Sequence, residues 1–297
     1  MGWKTLIIGC ESKIAISQNR MKVSIDGDYH NFPITDLDTV IFSHDKVVIT
    51  IPLLVELMKN NINVVICDNK NDPIGTFNCF NNHSLVFKQL KKQMNWRLVQ
   101  KKKLWRRIIE NKIKTEIDVL NLFGKDASTI DRLKKLKNSI YTDDISNREA
   151  IAARVYFISM FNDDFNRDND VPVNFALNYG YKIIASYISK VLVSRGYLPQ
   201  LGIHHIGESN PFNLTYDFIE CFRAIVDAWV FDNINEKFTS LDKQALVEIL
   251  NHKIYINHKW FRLKDAIEDV IDSYLGFLNE EIDEIIQIDL SKGVRDD

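Results

Sequence analysis

Residues 202–223 read GIHHIGESNPFNLTYDFIECFR, and this stretch organises the second half of the chain. It places His204 and His205 at the end of one predicted helix and two acids early in the next. Asp217 and Glu220 are three residues apart, so a helix puts them on one face. The opposite face is apolar and is typical of a helix that packs on a core. The two acids belong either to a solvated polar face or to a functional site.

Length and composition bound the class of protein. The 297 residues allow two domains or one large one, and the 45% hydrophobic content supplies a sizeable core. Four cysteines (Cys10, Cys67, Cys79 and Cys221) are scattered, which is typical of reduced cytosolic thiols. The first ten residues lack the features of a signal peptide, and no apolar run reaches the roughly 18 residues of a membrane span. These features predict a cytoplasmic protein with no membrane partner.

Short β-branched runs dominate the start of the chain, whereas the helical period dominates the rest. Residues 1–80 therefore form a predicted β-rich domain, whose expected role is packing or dimerisation. Residues 84–290 form a larger domain that is predicted to be all-helical, with Ser84 as the N-cap of its first helix. The predicted fold class is α+β, with the small β-rich domain first.

The net charge of −2 conceals a strongly basic segment. Eleven Lys or Arg residues lie from Lys88 to Lys114 and only Glu110 opposes them, which gives a local excess of about +10. Trp96 and Trp105 interleave with this run, and basic residues mixed with aromatic ones favour a polyanionic partner. A solvated helix face is the alternative interpretation.

A third acid, Glu149, begins another predicted helix just after Ser146. Ser146 and Glu149 have the spacing of a capping box, in which the acid satisfies the start of its own helix. Ala150, Ala152 and Ala153 follow, and such small residues predict close packing against a neighbouring element. Glu149 thus either caps its own helix or lies near the side chains of that neighbouring element.

Four sequence blocks occur in a distinctive order. They are Asn147-Arg148-Glu149-Ala150 with Ala153-Arg154, Asn174 with Leu177-Asn178-Tyr179-Gly180-Tyr181, Gly202-Ile203-His204-His205, and Asp217-Phe218-Ile219-Glu220 with Phe222-Arg223. Together they resemble the CRISPR-associated protein one family, the metal-dependent integrases of spacer acquisition. The β-rich start and helical remainder fit that family's outline, so the resemblance covers nearly the whole chain. The size and the His-His form of the third block are most similar to members from type II systems.

The resemblance implies a metal site formed by Glu149, His205 and Glu220, with Asp217 as a further catalytic acid beside it. Two carboxylates and one imidazole suit Mg²⁺ or Mn²⁺ as the cofactor. His205, rather than His204, closes the Gly-x-x-His block, and it serves either as a ligand or as a hydrogen-bond donor to phosphate. The implied reaction is a transesterification, in which the 3′-hydroxyl of incoming DNA attacks a phosphodiester at the CRISPR repeat boundary.

The resemblance also implies three partners. These are DNA (spacer precursor and CRISPR repeat), a second copy of the chain bound through the β-rich domain, and a small second CRISPR-associated protein that bridges two dimers. The predicted contacts to DNA phosphates are Lys101, Lys102, Arg106 and Arg107. Two other functions stay open at this point: a metal-dependent phosphohydrolase of another kind, and a non-catalytic DNA-binding scaffold.

Overall fold

The computed structural model describes residues 4–69, 73–77, 85–141, 147–256 and 259–295. The chain divides into two compact units. Met1–Gln89 and Ser189–Tyr197 form the first, and Leu90–Ile188 and Leu198–Asp297 form the second. The predicted boundary at 81–84, including the expected cap Ser84, lies outside the described residues. Within those described ranges no helix is both long and apolar enough to cross a membrane.

In its described residues, the first unit contains two four-stranded sheets. In chain order its elements are β1 (Lys4–Ile8), β2 (Ser12–Ser17), β3 (Arg20–Ile25), β4 (Asp28–Pro33), β5 (Leu37–Phe42), β6 (Val47–Ile49), α1 (Ile51–Lys59), β7 (Asn63–Cys67) and β8 (Pro73–Phe77). One sheet has the order β1-β5-β7-β8 and is parallel except for β8. The other has the order β4-β3-β2-β6 and is antiparallel except between β2 and β6. All six residues of β5 are buried, as expected for a central parallel strand.

One apolar cluster joins both sheets of this unit to α1. Leu53 and Leu57 are one turn apart on α1 and lie in the same buried cluster as Met21 and Val64. Each such side chain contributes about 1.5–3 kcal/mol by leaving water. Strand β4 has no β-branched residue in its sequence, and it forms the edge of its sheet, where it pairs with β3.

The second unit is mainly helical, and its longest helix lies at its centre. The remaining elements in chain order are α2 (Val86–Met94), α3 (Leu98–Leu122), α4 (Ala127–Asn138), α5 (Arg148–Met160), α6 (Pro172–Ser194), α7 (Asn213–Ile219), α8 (Arg223–Asn233), α9 (Ser240–Glu248), β9 (Lys253–Ile256), β10 (Lys259–Arg262) and α10 (Leu263–Leu278). Helix α3 packs against α4, α5, α8 and α10. The expected α+β class is confirmed, and the helical part also holds the antiparallel hairpin β9–β10.

The basic segment forms two helices, because the chain is broken between α2 and α3. The break falls at Asn95, Trp96 and Arg97, and Trp96 is buried there with its Nε1 donating to Oδ1 of Asn279 at 3.0 Å. Trp105, on α3, is also buried. The interpretation of these tryptophans as part of a polyanion-binding surface is therefore wrong, because both rings belong to the core.

The acidic C-terminal segment is helical only as far as Leu278. The chain beyond it lies along α3 in an extended form. Asn111 donates its Nδ2 to the carbonyl of Ile288 at 2.9 Å and accepts the N–H of Ile288 at 3.0 Å. Asp118 accepts the N–H of Leu290 at 3.1 Å. Buried polar side chains of α3 thus satisfy a backbone that has no helix or sheet of its own.

Candidate active site

Two of the predicted metal ligands converge on one buried cation. The Nζ atom of Lys112, on α3, lies 2.6 Å from Oε1 of Glu149 and 2.6 Å from Oε2 of Glu220. Glu149 stands in the first turn of α5, and Glu220 follows α7 in a short 3₁₀ turn over Glu220–Phe222. Helix packing therefore brings together two acids that are far apart in the sequence.

Glu220 is held on both sides by positive charge. Its Oε2 faces Lys112, while its Oε1 accepts from Nε of Arg223 at 3.0 Å and lies 3.0 Å from Nη2 of the same guanidinium. Burial alone would raise the pKa of Glu220, but Arg223 and Lys112 outweigh it and lower that pKa to about 2. The carboxylate is therefore ionised throughout the physiological range although it is buried.

The carboxylate of Asp217 accepts hydrogen bonds from the loop that precedes α7. Its Oδ2 accepts the N–H groups of Ile203 at 2.6 Å and His204 at 3.2 Å, and its Oδ1 accepts the N–H of His205 at 2.9 Å. Oδ1 also lies 2.8 Å from Nδ1 of His205. The side chain of Asp217 has no exposed surface, whereas that of His205 is 42% exposed.

The pairing with Asp217 fixes the chemistry of His205. A carboxylate only accepts, so Nδ1 of His205 carries the proton and its Nε2 is left to face a ligand. The hydrogen bond to Asp217 raises the pKa of His205, since it stabilises the imidazolium form, and burial opposes this. Glu220 and Glu149 raise the pKa of His205 further through their charges.

Gly202 allows this loop to close so tightly. A Cβ atom on Gly202 would lie 2.1 Å from the carbonyl oxygen of His205 and 2.8 Å from Oδ2 of Asp217. Two amide side chains hold the flanking backbone: Gln93 bonds the backbone of Leu198 and Leu201, and Asn213 donates to the carbonyls of Gln200 and Gly207. The glycine of the Gly-x-x-His block is thus a steric requirement.

His204 takes a different position from His205. Its ring stacks on the indole of Trp105, with centroids 4.0 Å apart and planes 5° from parallel. Trp105 also meets His205 edge-on at 5.8 Å. His204 therefore packs the loop onto α3, while the neighbouring ring turns toward Asp217.

A second group of buried polar residues, Glu116, Asp227 and Tyr181, adjoins the site. Burial raises the pKa of Glu116, one turn after Lys112 on α3, to about 8. Burial also raises the pKa of Asp227 to about 6, and the hydroxyl of Tyr181 donates to its Oδ1. Arg223 lies over the Tyr181 ring at 4.6 Å and so connects this group to Glu220.

The structure thus joins the predicted site residues in two pairs, Glu149 with Glu220 through Lys112, and His205 with Asp217. Among the described residues, no three His, Cys, Asp or Glu side chains lie close enough to hold a metal ion together. Asp217 and Glu220 are both buried, so the solvated-face interpretation of these acids is wrong. Ser146, the other half of the expected capping box, lies outside the described residues.

Sequence reasoning missed Lys112, which it counted among the basic run. A signal was present, because Lys112 and Glu116 lie four residues apart on a helix face that also carries Ile109 and Ile113. Charged residues inside an apolar stripe are rarely unpaired. Lys112 therefore belongs to the interior of this site and not to a DNA-facing surface.

The four predicted DNA contacts lie in different surroundings. Lys101 borders a cavity of about 670 Å³ beside the Gly202 loop, and Arg106 is exposed but pairs with Glu110 at 2.7 Å. Lys102 is half-buried. Arg107 donates to the carbonyl of Asp283 at 2.6 Å and lies over the Phe277 ring.

Acids of the C-terminal segment neutralise part of the basic run. Lys92 pairs with Glu281 at 2.7 Å, Arg97 pairs with Glu280, and Lys114 lies 3.5 Å from Asp289. The local excess of about +10 that the sequence indicates is therefore reduced by charges from a distant part of the chain.

Comparison with known proteins identifies the family to which this site belongs. The family model described as "CRISPR associated protein Cas1" matches residues 6–259. The chain belongs to the Cas1 family. A CRISPR-associated endonuclease Cas1 from Neisseria meningitidis serogroup C (strain 8013) is 32% identical over 279 residues, which cover 92% of this chain and 91% of that relative. The predicted family is thus confirmed, and with it a CRISPR-associated nuclease.

Solved structures show the same Cas1 fold. A casposase bound to integration product has a TM-score of 0.75 and 19% identity, and the match covers 98% of this chain and 94% of that one. A Cas6-RT-Cas1–Cas2 complex has a TM-score of 0.73 and 17% identity. That match covers 96% of this chain but 36% of the other, so this chain spans about a third of that larger polypeptide.

Proposed function

We propose that this protein is a divalent-metal-dependent DNA integrase that acts in the cytoplasm and joins spacer DNA to a CRISPR repeat. The observation that carries the proposal is the convergence of Glu149 and Glu220 on one cationic atom, the Lys112 ammonium. The 1–80 region would serve as the dimerisation domain and the 84–290 region as the catalytic domain.

The residues of the site fit a hard divalent ion. Carboxylate oxygens of Glu149 and Glu220 already contact one positively charged atom, the Lys112 ammonium, which stands in for a metal cation. Two such oxygens and the free Nε2 of His205 form a donor set that suits Mg²⁺ or Mn²⁺. When bound, the ion supplies a Lewis acid that polarises the phosphoryl oxygen and stabilises the charge of the displacement.

The other polar residues orient these donors. Asp217 fixes the protonated Nδ1 of His205 and three N–H groups of its loop, so that Nε2 points away from the carboxylate. Arg223 occupies Oε1 of Glu220 and leaves Oε2 as the donor atom. Asp217 is thus a positioning residue that acts through His205.

The reaction requires no covalent intermediate with the protein. The 3′-hydroxyl oxygen of the incoming strand forms a new P–O bond as the phosphodiester at the repeat boundary breaks, so one phosphodiester is exchanged for another. In the part of the chain that the structure describes, Cys221 adjoins the site, but it is buried and its pKa is raised to about 12. Such a thiol is a poor nucleophile.

The partners follow from the same proposal. DNA and a small second CRISPR-associated protein are supported by structural neighbours described as a casposase bound to integration product and as a Cas6-RT-Cas1–Cas2 complex. The β-rich unit would pair two copies of the chain. Lys101, Lys102, Arg106 and Arg107 would contact DNA phosphates along α3.

A strand-transfer assay tests this function. Labelled DNA with a free 3′-hydroxyl is incubated with a repeat-containing target, Mn²⁺ and the small partner. We expect joined product with the parent, and a loss of at least about 100-fold for Glu149→Gln and Glu220→Gln, since each removes a ligand charge. Glu56→Gln, in the first unit, is the matched control and should retain activity.

The competing functions give different products in this assay. Cleavage without joining would support a phosphohydrolase instead. DNA binding with neither joining nor cleavage, in all variants alike, would support the non-catalytic scaffold.

A further inference from the structure

Lys112 carries a charge in the interior of the second unit. Its ammonium is buried on a helix whose neighbouring positions, Ile108, Ile109 and Ile113, are fully buried apolar residues. An isolated ammonium in such a place would strongly destabilise the fold, so its partners must hold it there. These partners are the two glutamates at 2.6 Å, and no other described residue lies within bonding distance of its Nζ.

The local structure keeps this lysine in place. The hydroxyl of Thr115 donates to the carbonyl of Lys112 at 2.7 Å, which ties down the turn that follows. Both carboxylates lie within hydrogen-bond distance of its Nζ, so the ammonium is paired on two sides. Glu220, in turn, is neutralised by both Lys112 and Arg223.

We infer that Lys112 is the resident cation of the metal site: its ammonium holds Glu149 and Glu220 together in the metal-free protein and competes with the divalent ion for their oxygens. The inference rests on the proposed function, because it assumes that these two acids are ligands. In the sequence, Lys112 is surrounded by the basic residues of a segment that resembles a DNA-binding surface.

The physical basis is that one oxygen of each acid serves both cations. Two buried carboxylates without a positive charge between them would repel each other strongly and separate. Lys112 prevents this and keeps the donors preassembled. A divalent ion must then break two charge-assisted hydrogen bonds before it gains the same oxygens. Lys112 therefore lowers the measured affinity of Glu149 and Glu220 for the divalent ion below the affinity that the two carboxylates would have without it.

The test compares metal binding by the full chain and its variants at pH 8, with Mn²⁺ alone as the probe. Lys112→Met removes the ammonium, and Lys112→Gln is a second variant that keeps a polar group should the first not fold. Lys190→Met is the matched control, because Lys190 forms another buried ion pair, with Asp38 at 3.0 Å. Binding is measured by calorimetry, and thermal midpoints are measured with and without Mn²⁺.

We expect metal-free Lys112→Met and Lys190→Met both to melt roughly 4 °C or more below the parent, since each loses a buried pair. Only the Lys112 variants should bind Mn²⁺ about tenfold more tightly and show a larger Mn²⁺-induced rise in midpoint. An affinity that equals or falls below that of the parent in both Lys112 variants would overturn the inference.

The failure of the proposed function looks different. In that case the parent itself shows no saturable Mn²⁺ binding, or Glu220→Gln binds Mn²⁺ as well as the parent does. Either result removes the metal site and the role of Lys112 together. Normal binding by the parent, abolished in Glu220→Gln and unchanged in Lys112→Met, removes only the role of the lysine.

Discussion

Nδ1 of His205 lies 2.8 Å from Oδ1 of Asp217, and this carboxylate also receives three backbone N–H groups of the same loop. Asp217 thus uses both of its oxygens to hold its neighbour in position. A substitution of Asp217 should therefore change activity by changing the orientation and the pKa of His205.

Asp217→Asn should lower the pKa of His205, because the hydrogen bond that raises it involves a carboxylate charge. It should also lower strand transfer by about 10–100-fold, as expected when a residue that orients a metal ligand is changed. The pKa is read from the imidazole signals in an NMR titration. Asp232→Asn, on exposed α8 surface, is the control. A purely structural Asp217 would leave the His205 titration unmoved.

Gly202→Ala should open the same loop, since its Cβ would meet the His205 carbonyl oxygen at 2.1 Å. We expect a decrease of about 1–3 kcal/mol in the free energy of unfolding, together with loss of activity. Gly207→Ala in the same loop is the control, because its Cβ would have ordinary contacts at 3.6 Å. Equal denaturant midpoints for the two variants would contradict the steric role of Gly202.

Glu116 predicts a pH dependence of stability. Burial raises its pKa from 4.5 to about 8, so between these values the folded state holds a proton that the unfolded state has released. Stability should therefore fall as pH rises through this interval. The pKa of His205 is also raised in the folded state, so His205 likewise makes stability fall as pH rises. Only a comparison of variants separates the two groups.

The measurement is the thermal midpoint of metal-free protein at pH 6.5 and 8.5. Glu116→Gln cannot release a proton, so its midpoint should fall less than that of the parent over this range. Glu110→Gln, a more exposed acid on the same helix, should follow the parent. Parallel curves for all three proteins would mean that Glu116 does not carry this proton.

The basic face of α3 predicts salt-dependent DNA binding. Replacing Lys101, Lys102 and Arg106 by Gln should weaken binding similarly for all DNA sequences. It should also reduce the slope of log affinity against log salt by about 2–3, or roughly 0.9 for each phosphate that is no longer neutralised. Filter binding over a salt series gives both quantities.

A charge-matched control replaces three exposed lysines elsewhere, Lys46, Lys59 and Lys134. A slope that falls equally in both triple variants would attribute the effect to net charge. Arg107→Gln is better tested apart, because it should lower stability as well: this guanidinium bonds the Asp283 carbonyl and lies over Phe277.

The sequence predicted those features that depend on residues close together in the chain. Blocks around Glu149, His205 and Glu220 were recognisable because each carries its chemistry within a few residues, and periodicity separated strands from helices. The fold class and family followed from these features. The role of Asp217 was not visible, since it depends on a loop that folds back over the start of α7.

Long-range packing decided what the sequence left open. The break between α2 and α3 has no Gly or Pro to mark it, and it forms where Trp96 enters the core and bonds Asn279. In the sequence, Lys112 is one basic residue among many in its segment. In the fold, α5 and the turn at Glu220 place two carboxylates against it. Tertiary contacts of this kind override local propensity.

The most direct test of the account is anomalous diffraction from crystals grown with Mn²⁺ and a DNA product, at a wavelength that identifies manganese. We predict a manganese peak bounded by Glu149, His205 and Glu220, at roughly 2.0–2.6 Å from each donor atom, with the Lys112 ammonium displaced from at least one carboxylate. A manganese peak elsewhere, or Glu149 and Glu220 still closed on Lys112 in saturating Mn²⁺, would contradict the account.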